Sequence, residues 1–464
     1  MHTCHIVPPS PEVTAYLVQE YRVHWKELGL TFRQFLQVSG YGNAAHHITG
    51  MDDATRSVID GGDATLVALP PTTVTGDLHV VVLLVDFPDL EGHLTKAHYE
   101  TLLFSKQQYL TGSMADYYDE VSRHQVNVMG EVHGWLRMPQ PYTYYTNGNS
   151  GLTDQYNREQ YPRDARKLAE DAVEAALENG VMFPPRLDVL GDGAITALFI
   201  VHAGRGAEKL HPLLRRQHIW SHKWHLNQPK WVATNLWATS YLMAPQETLL
   251  GVCAHEFGHL AFHWRDVYDP NYDDEGDYWD GHGMWDLMAS GAYAGREMRP
   301  VHPAGLHKMQ QGWIEAIEID VSQPDVRLKP VTHPDGRVVK IQSSRYQPDQ
   351  YLLLEYRTRE AFDTDLPGDG LLVWRIDESG SEAGRPGMRL IPANGRHHLL
   401  NPDDQNRNAP GDPFPGSQHI TTLTDTGDVS TSFPDSPASG IALHNITHDS
   451  AAQEVRLDID ITTD

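Results

Sequence analysis

The sequence predicts an α/β (α+β) domain followed by a β-rich, sandwich-like C-terminal domain. Two runs, HVVVLLVDF from His79 and AITALFIVHAG from Ala194, are almost continuously apolar, which is typical of strands buried on both faces of a sheet. Between them, PRDARKLAEDAVEAALENG from Pro162 begins with a proline suited to a helix N-terminus and ends in Asn-Gly. The order of strand, helix and strand indicates an α/β sandwich.

The remaining elements divide the chain into three units. Residues 1–75 contain a predicted helical region over 11–37 and a connector, and form an N-terminal segment that is a candidate pro-region. Residues 76–322 form the predicted central domain, in which MADYYDEVSRHQVNVMGEV from Met114 passes from a helical pattern to strand alternation. Residues 323–464 carry short alternating segments such as YLLLEYR and GLLVWRI, separated by Gly, Pro, Asn and Asp, which predict a β-rich domain.

The composition of the 464 residues argues against two kinds of partner. A formal net charge of −26 is unsuited to a phosphate backbone, because nucleic-acid binding relies on clustered Lys and Arg. The sequence has no run of about eighteen apolar residues, so membrane insertion is not expected. Its two cysteines, Cys4 and Cys253, do not make a disulfide framework. Nothing in the composition indicates an oligomeric state.

The strongest chemical signal is the segment CAHEFGHLAFHWRDVYD, which starts at Cys253. His255 and His259 are four residues apart, and on a helix this spacing lets both imidazoles bind one metal ion. Glu256 would then lie beside the metal without binding it, where a carboxylate can act as a general base. A catalytic zinc site has three protein ligands and an open position for water, so one more ligand is required.

Two residues compete for the place of third ligand. Asp266 lies seven residues beyond His259, a rise of about 10.5 Å on an unbroken helix, so the helix must turn before Asp266 can share the ion. No glycine occurs between these two residues, and we expect His263 to adopt the positive φ of the turn. Glu275, on a later segment, is the alternative. We favour Asp266 on geometry.

Many motifs of this chain occur in the same order as in a known family. GHGMWDLMASGAY, from Gly281, contains Met288 and resembles the methionine turn that forms a floor under the zinc of metzincins. The chain also carries VVLLVDFPD, LTGSMADYYDEVS, YTNGNSG, YPRDARKLAEDA, FIVHAGRGAE, IWSHKW, HEFGH, DVYD, LPGDGLLVWRID and GDPFPG. It therefore resembles the immune inhibitor A family of zinc metallopeptidases. It departs from the family pattern where His263-Trp264-Arg265-Asp266 replaces Gly-x-Pro-Asp.

The resemblance implies a metzincin-like zinc peptidase domain with an active-site helix, and a zinc-dependent endopeptidase that acts on proteins or peptides. Glu256 is then catalytic, while His255, His259 and Asp266 bind zinc. The alternative interpretations are a catalytically silent zinc-containing binding protein and an aminopeptidase. Extracellular targets are implied, yet the N-terminal stretch MHTCHIVPPSPEVTAYL has no signal-peptide pattern. Extracellular, cytoplasmic and non-classically exported locations therefore stay open.

Further predictions concern the surroundings of this centre. Tyr293 is a candidate to stabilise the oxyanion, with His282 as a rival for the same role. Cys4 could silence the enzyme by binding the fourth position of zinc, and the alternative is an incidental cysteine in a terminal tail. One acidic cluster fits either a calcium site or a solvated loop. Its members are Asp269, Asp273, Asp274, Glu275, Asp277 and Asp280.

Overall fold

A computed structural model describes residues 7–39, 55–60, 63–68, 73–152, 160–268, 281–378, 387–396, 399, 410–433 and 436–462. The α-helices are α1 Pro11–Glu20, α2 Phe32–Val38, α3 Lys96–Phe104, α4 Met114–Val121, α5 Tyr142–Thr146, α6 Ala165–Glu178, α7 Pro212–Arg215, α8 Leu250–Phe262 and α9 Gly305–Gln310. The first strands are β1 Thr55–Asp60, β2 Asp63–Ala68, β3 Gly76–Asp86, β4 Val126–Arg137, β5 Leu198–His202, β6 His222–Ala233 and β7 Leu236–Pro245. The later strands are β8 Ala316–Ile319, β9 Gln323–Leu328, β10 Val338–Ile341, β11 Gln350–Arg357, β12 Gly370–Asp377, β13 Met388–Leu390, β14 Ile441–Asp449 and β15 Glu454–Ile461.

The central domain is built on a five-stranded sheet with the order β4-β3-β5-β7-β6. Strands β4, β3, β5 and β7 are parallel, and β6 pairs antiparallel with β7 at one edge. Helix α6 covers one face, and helices α3, α4 and α8 cover the other. The α/β class predicted from the sequence is confirmed.

Alternate residues of β3 point to opposite faces of this sheet and are buried on both. Val81, Leu83 and Val85 belong to the core beneath α6, whereas Val80 and Val82 belong to the core beneath α8. This two-sided burial explains why the strand reads as an unbroken apolar run instead of an alternating one.

The C-terminal part forms a β-sandwich, as its short alternating segments predict. A five-stranded sheet, β13-β12-β11-β10-β8, and a three-stranded sheet, β14-β15-β9, share one hydrophobic core. Pairing is antiparallel except between β8 and β10. Because β8 pairs with β10, this sheet already begins before residue 323.

Helix α8 carries the two histidines of the motif, and every residue from Leu250 to Phe262 is buried. The helix follows β7 after a short loop and ends at His263, whose backbone is left-handed with φ 55° and ψ 34°. The N–H of His263 donates to the carbonyl of Gly258. The turn predicted at His263 is confirmed, and it reverses the chain just before Asp266.

Within the described residues, no helix is both long and apolar enough to cross a lipid bilayer.

Candidate metal centre

Helix α8 lies directly against the segment 281–293, and two glycines permit this approach. A Cβ added at Gly251 would lie 1.8 Å from the carbonyl oxygen of Ala292. One added at Gly258 would lie 2.8 Å from the ring of Trp264 and 3.0 Å from Sδ of Met288. Met288 is fully buried, and its Sδ lies close to Gly258 of the histidine-bearing helix. The metzincin-like methionine turn predicted for this segment stays a prediction.

The rings of the two histidines of α8 face one another, and each ring is oriented by a hydrogen bond from its Nδ1 atom. His255 donates from Nδ1 to the carbonyl of Leu287 at 2.8 Å, and His259 donates from Nδ1 to the carbonyl of Trp264 at 2.7 Å. A neutral imidazole that donates from Nδ1 carries its lone pair on Nε2. Both Nε2 atoms are therefore prepared to bind a metal.

Asp266 is brought to the two histidines by the chain reversal at His263. Its Oδ1 lies 3.1 Å from Nε2 of His255 and 3.3 Å from Nε2 of His259, and the two Nε2 atoms are 3.2 Å apart. Ligand atoms that share a tetrahedral zinc at about 2.0–2.1 Å are separated by about 3.3 Å, so the three side chains fit one ion. Among the described residues, this is the one group of three or more His, Cys, Asp or Glu that could hold a metal.

The electrostatics of the three side chains also favour a cation. Burial lowers the pKa of His255, but Asp266 and Glu256 more than offset this effect and raise it to about 9. Burial lowers the pKa of His259. For Asp266, burial acts to raise the pKa, but the two histidines hold it well below its usual range. The buried Asp266 carboxylate thus interacts strongly with both imidazoles, an arrangement that suits a bound cation.

Glu256, the next residue of α8, is fully buried. Its carboxylate contributes to the raised pKa values of both His255 and Tyr293, so it lies within electrostatic reach of both side chains. This places a carboxylate beside the metal-binding group but outside the set of three converging atoms.

Several other residues selected from the sequence take definite positions. The hydroxyl of Tyr293 donates to the backbone carbonyl of Pro8 at 2.6 Å. His282 donates from Nδ1 to Asp286 at 2.8 Å. Cys4, Glu275 and the acidic cluster from Asp269 to Asp280 lie outside the described residues, so their predicted roles stay predictions.

Sequence reasoning missed the partners that support the three side chains. Leu287 and Trp264 act through backbone carbonyls, which have no signature in a sequence. Asp286 and His307, whose side chains lie 3.6 Å apart in the core, were also missed. The one available signal was Asp286 itself, an acidic residue inside an otherwise apolar Trp-Asp-Leu-Met string.

A buried two-histidine, one-carboxylate site on such a fold, with a glutamate between the histidines, defines the class of a metallopeptidase. A family model described as immune inhibitor A peptidase M6, catalytic domain, matches residues 72–317, and the chain belongs to this family.

Two curated relatives agree with this assignment. The chain is 31% identical over 258 residues to the pre-pro-metalloprotease PrtV of Vibrio cholerae, covering 47% of this chain and 27% of the relative. It is 28% identical over 352 residues to immune inhibitor A of Bacillus thuringiensis subsp. alesti, covering 63% of this chain and 49% of the relative. The chain thus spans about a quarter and about half of the lengths of these relatives.

Proposed function

We propose that this chain is a zinc-dependent endopeptidase that hydrolyses internal peptide bonds of proteins, with its activity centred on α8. His255, His259 and Asp266 would hold the zinc, and Glu256 would act as the general base. The observation that carries the proposal is the convergence of Nε2, Nε2 and Oδ1 at separations of 3.1–3.3 Å in a fully buried site. Zinc, when bound, acts as a Lewis acid that polarises the scissile carbonyl and makes a water molecule more acidic.

Two imidazole nitrogens and one carboxylate oxygen are a donor set that suits zinc, and three protein ligands leave a position open, as in catalytic sites. A purely structural zinc is usually closed by cysteines, and Cys253, on the same helix, is not part of the converging group. This difference supports an enzyme over a silent binding protein.

Glu256 would take the proton of the attacking water and deliver it to the amine that leaves. Its burial and its position next to His255 on α8 support this role, because a buried carboxylate beside a metal can hold a proton between the two steps. A binding protein without catalytic activity has no use for a proton carrier there.

The domain limits proposed from the sequence are 1–75, 76–322 and 323–464, with the middle unit as the catalytic domain. The family match to 72–317 supports these limits, and β3, the first strand of the central sheet, begins at Gly76. One relative is named a pre-pro-metalloprotease, and we propose by analogy that residues 1–75 are a pro-region. On the same resemblance we propose an extracellular site of action.

The proposal is tested with a peptide that is internally quenched and blocked at both ends. The full chain loaded with zinc should cleave it, lose activity on treatment with a chelator and regain it when zinc is added back. An aminopeptidase would leave the blocked peptide intact and cleave the same peptide with a free N-terminus. A binding protein would cleave neither peptide.

A further inference from the structure

Asp286 is a buried carboxylate next to the metal centre that has no part in the proposed chemistry. Its Oδ1 accepts a hydrogen bond from the backbone N–H of Met288 at 2.9 Å. That N–H belongs to the same peptide group as the carbonyl of Leu287, which accepts the Nδ1 proton of His255 at 2.8 Å. A rigid peptide plane therefore connects the Asp286 carboxylate with the orientation of the His255 ring.

The segment around Asp286 also lies close to the elements that carry the other two members of the site. Oδ2 of Asp286 lies 3.6 Å from Nε2 of His307, whose ring is 5.3 Å from the ring of Trp264. The carbonyl of Trp264 orients His259. The carbonyl of Met288 accepts a hydrogen bond of 3.0 Å from the backbone N–H of Val267, the residue directly after Asp266.

Asp286 is itself held firmly in place. His282 donates to its Oδ2 at 2.8 Å, and the His282 ring packs 4.5 Å from the ring of Trp374 on β12 of the C-terminal sandwich. Arg357, on the neighbouring strand β11, donates to the carbonyl of Trp285, which immediately precedes Asp286. The C-terminal sandwich thus braces the segment that carries Asp286.

We propose that Asp286 is a positioning residue that orients the metal-binding side chains, His255 most directly, and that the C-terminal sandwich contributes to metal affinity through it. This inference rests on the proposed function, because it takes His255, His259 and Asp266 as the ligands. Mutation of a residue that hydrogen-bonds to a metal ligand and orients it typically changes metal affinity by about 10–100-fold.

The experiment compares Asp286→Asn with Asp164→Asn in the full chain. Both aspartates are fully buried, and both accept backbone N–H groups together with a side-chain N–H of a basic residue. Asp164 caps helix α6, on the opposite face of the central sheet from α8, and does not bind the peptide that orients His255. An asparagine at 286 can accept from Met288 or from His282, but not from both in the present arrangement.

Zinc affinity is measured directly by competition with a fluorescent chelator, without substrate. The absorption spectrum of the cobalt(II)-loaded protein reports the ligand geometry. Asp286→Asn should weaken zinc binding about tenfold or more and change the cobalt spectrum. Asp164→Asn should lower the unfolding temperature and leave zinc affinity within about twofold of wild type.

Equal zinc affinity and an unchanged cobalt spectrum in Asp286→Asn would overturn the inference. If that variant does not fold, His282→Phe decides, because it keeps a ring against Trp374 and removes the N–H that binds Asp286. A loss of zinc affinity in His282→Phe supports the inference, and unchanged affinity overturns it. If the wild-type chain binds no zinc at all, the proposed function fails and the inference fails with it.

Discussion

The hydroxyl of Tyr293 donates a hydrogen bond of 2.6 Å to the backbone carbonyl of Pro8, so the N-terminal segment lies against a residue within electrostatic reach of Glu256. Two further contacts hold the same stretch. The indole of Trp220 donates to the carbonyl of Val7 at 2.8 Å, and the N–H of Ser10 donates to the carbonyl of Glu208 at 3.0 Å. In this arrangement the candidate oxyanion donor is bound to a carbonyl of the chain itself.

This contact is a physical basis for the prediction that the N-terminal segment keeps the enzyme inactive. Removal of residues up to about Pro71 should raise activity on a quenched peptide, because it frees the Tyr293 hydroxyl, and it should leave zinc content unchanged. Cys4→Ser should also raise activity if the Cys4 thiolate occupies the open zinc position. An active truncated form together with an unchanged Cys4→Ser variant would assign latency to the Val7–Ser10 backbone alone. If neither variant is more active than the full chain, the N-terminal segment has no inhibitory role.

The identity of the third ligand is tested by the pair Asp266→Ala and Glu275→Ala. Asp266→Ala should weaken zinc binding more than about 100-fold, because loss of a ligand costs more than loss of a residue that orients one. Glu275→Ala should have a mild effect at most. Zinc content after dialysis ranks the two variants, and the reverse order would assign the third ligand to Glu275.

A pH effect on stability is expected from His222, which lies on β6 and is not one of the three metal-binding side chains. Burial lowers its pKa to about 4, against an ordinary value of 6.5. Between pH 6.5 and pH 4 the unfolded chain therefore binds the proton more readily than the folded protein. Its contribution to stability is full above pH 6.5 and is lost as the pH falls towards 4.

From pH 7 to pH 5, His222 should account for about 2 kcal/mol of lost unfolding free energy. The metal-free His222→Gln variant should lack this part of the loss in urea unfolding at the two pH values. The control is Tyr241→Phe, which removes the hydroxyl 3.1 Å from Nε2 of His222 but keeps the buried imidazole. If His222→Gln and wild type lose the same free energy, His222 is not the source of the effect.

The elements that the sequence predicted are those with a local signature. Helix α6 has a proline near its start and Asn-Gly at its end, and it spans Ala165–Glu178. The spacing of His255 and His259 was enough to place both side chains on one face of α8. The positive φ at His263 followed from the need to return Asp266 to the histidines over a short distance, and it is confirmed.

The parts that could not be predicted depend on contacts between distant residues. The bond between Tyr293 and Pro8 joins positions 285 residues apart, and no pattern near either residue indicates it. His307 and Asp286 are polar residues inside a core, and a sequence does not tell whether such residues face each other or a ligand. The hydrogen bond from Arg357 to Trp285 likewise joins strand β11 to a segment 72 residues earlier in the chain.

The central claim, a metal-dependent hydrolysis in which Glu256 moves the proton, is tested most directly by Glu256→Gln. The full chain and this variant are each loaded with zinc, their zinc content is measured, and their turnover on an end-blocked quenched peptide is compared. The account predicts equal zinc content and a turnover lowered by about 10²–10⁴-fold, because the ligands stay and the proton acceptor is lost. A zinc-loaded Glu256→Gln variant that cleaves as fast as wild type would contradict the account.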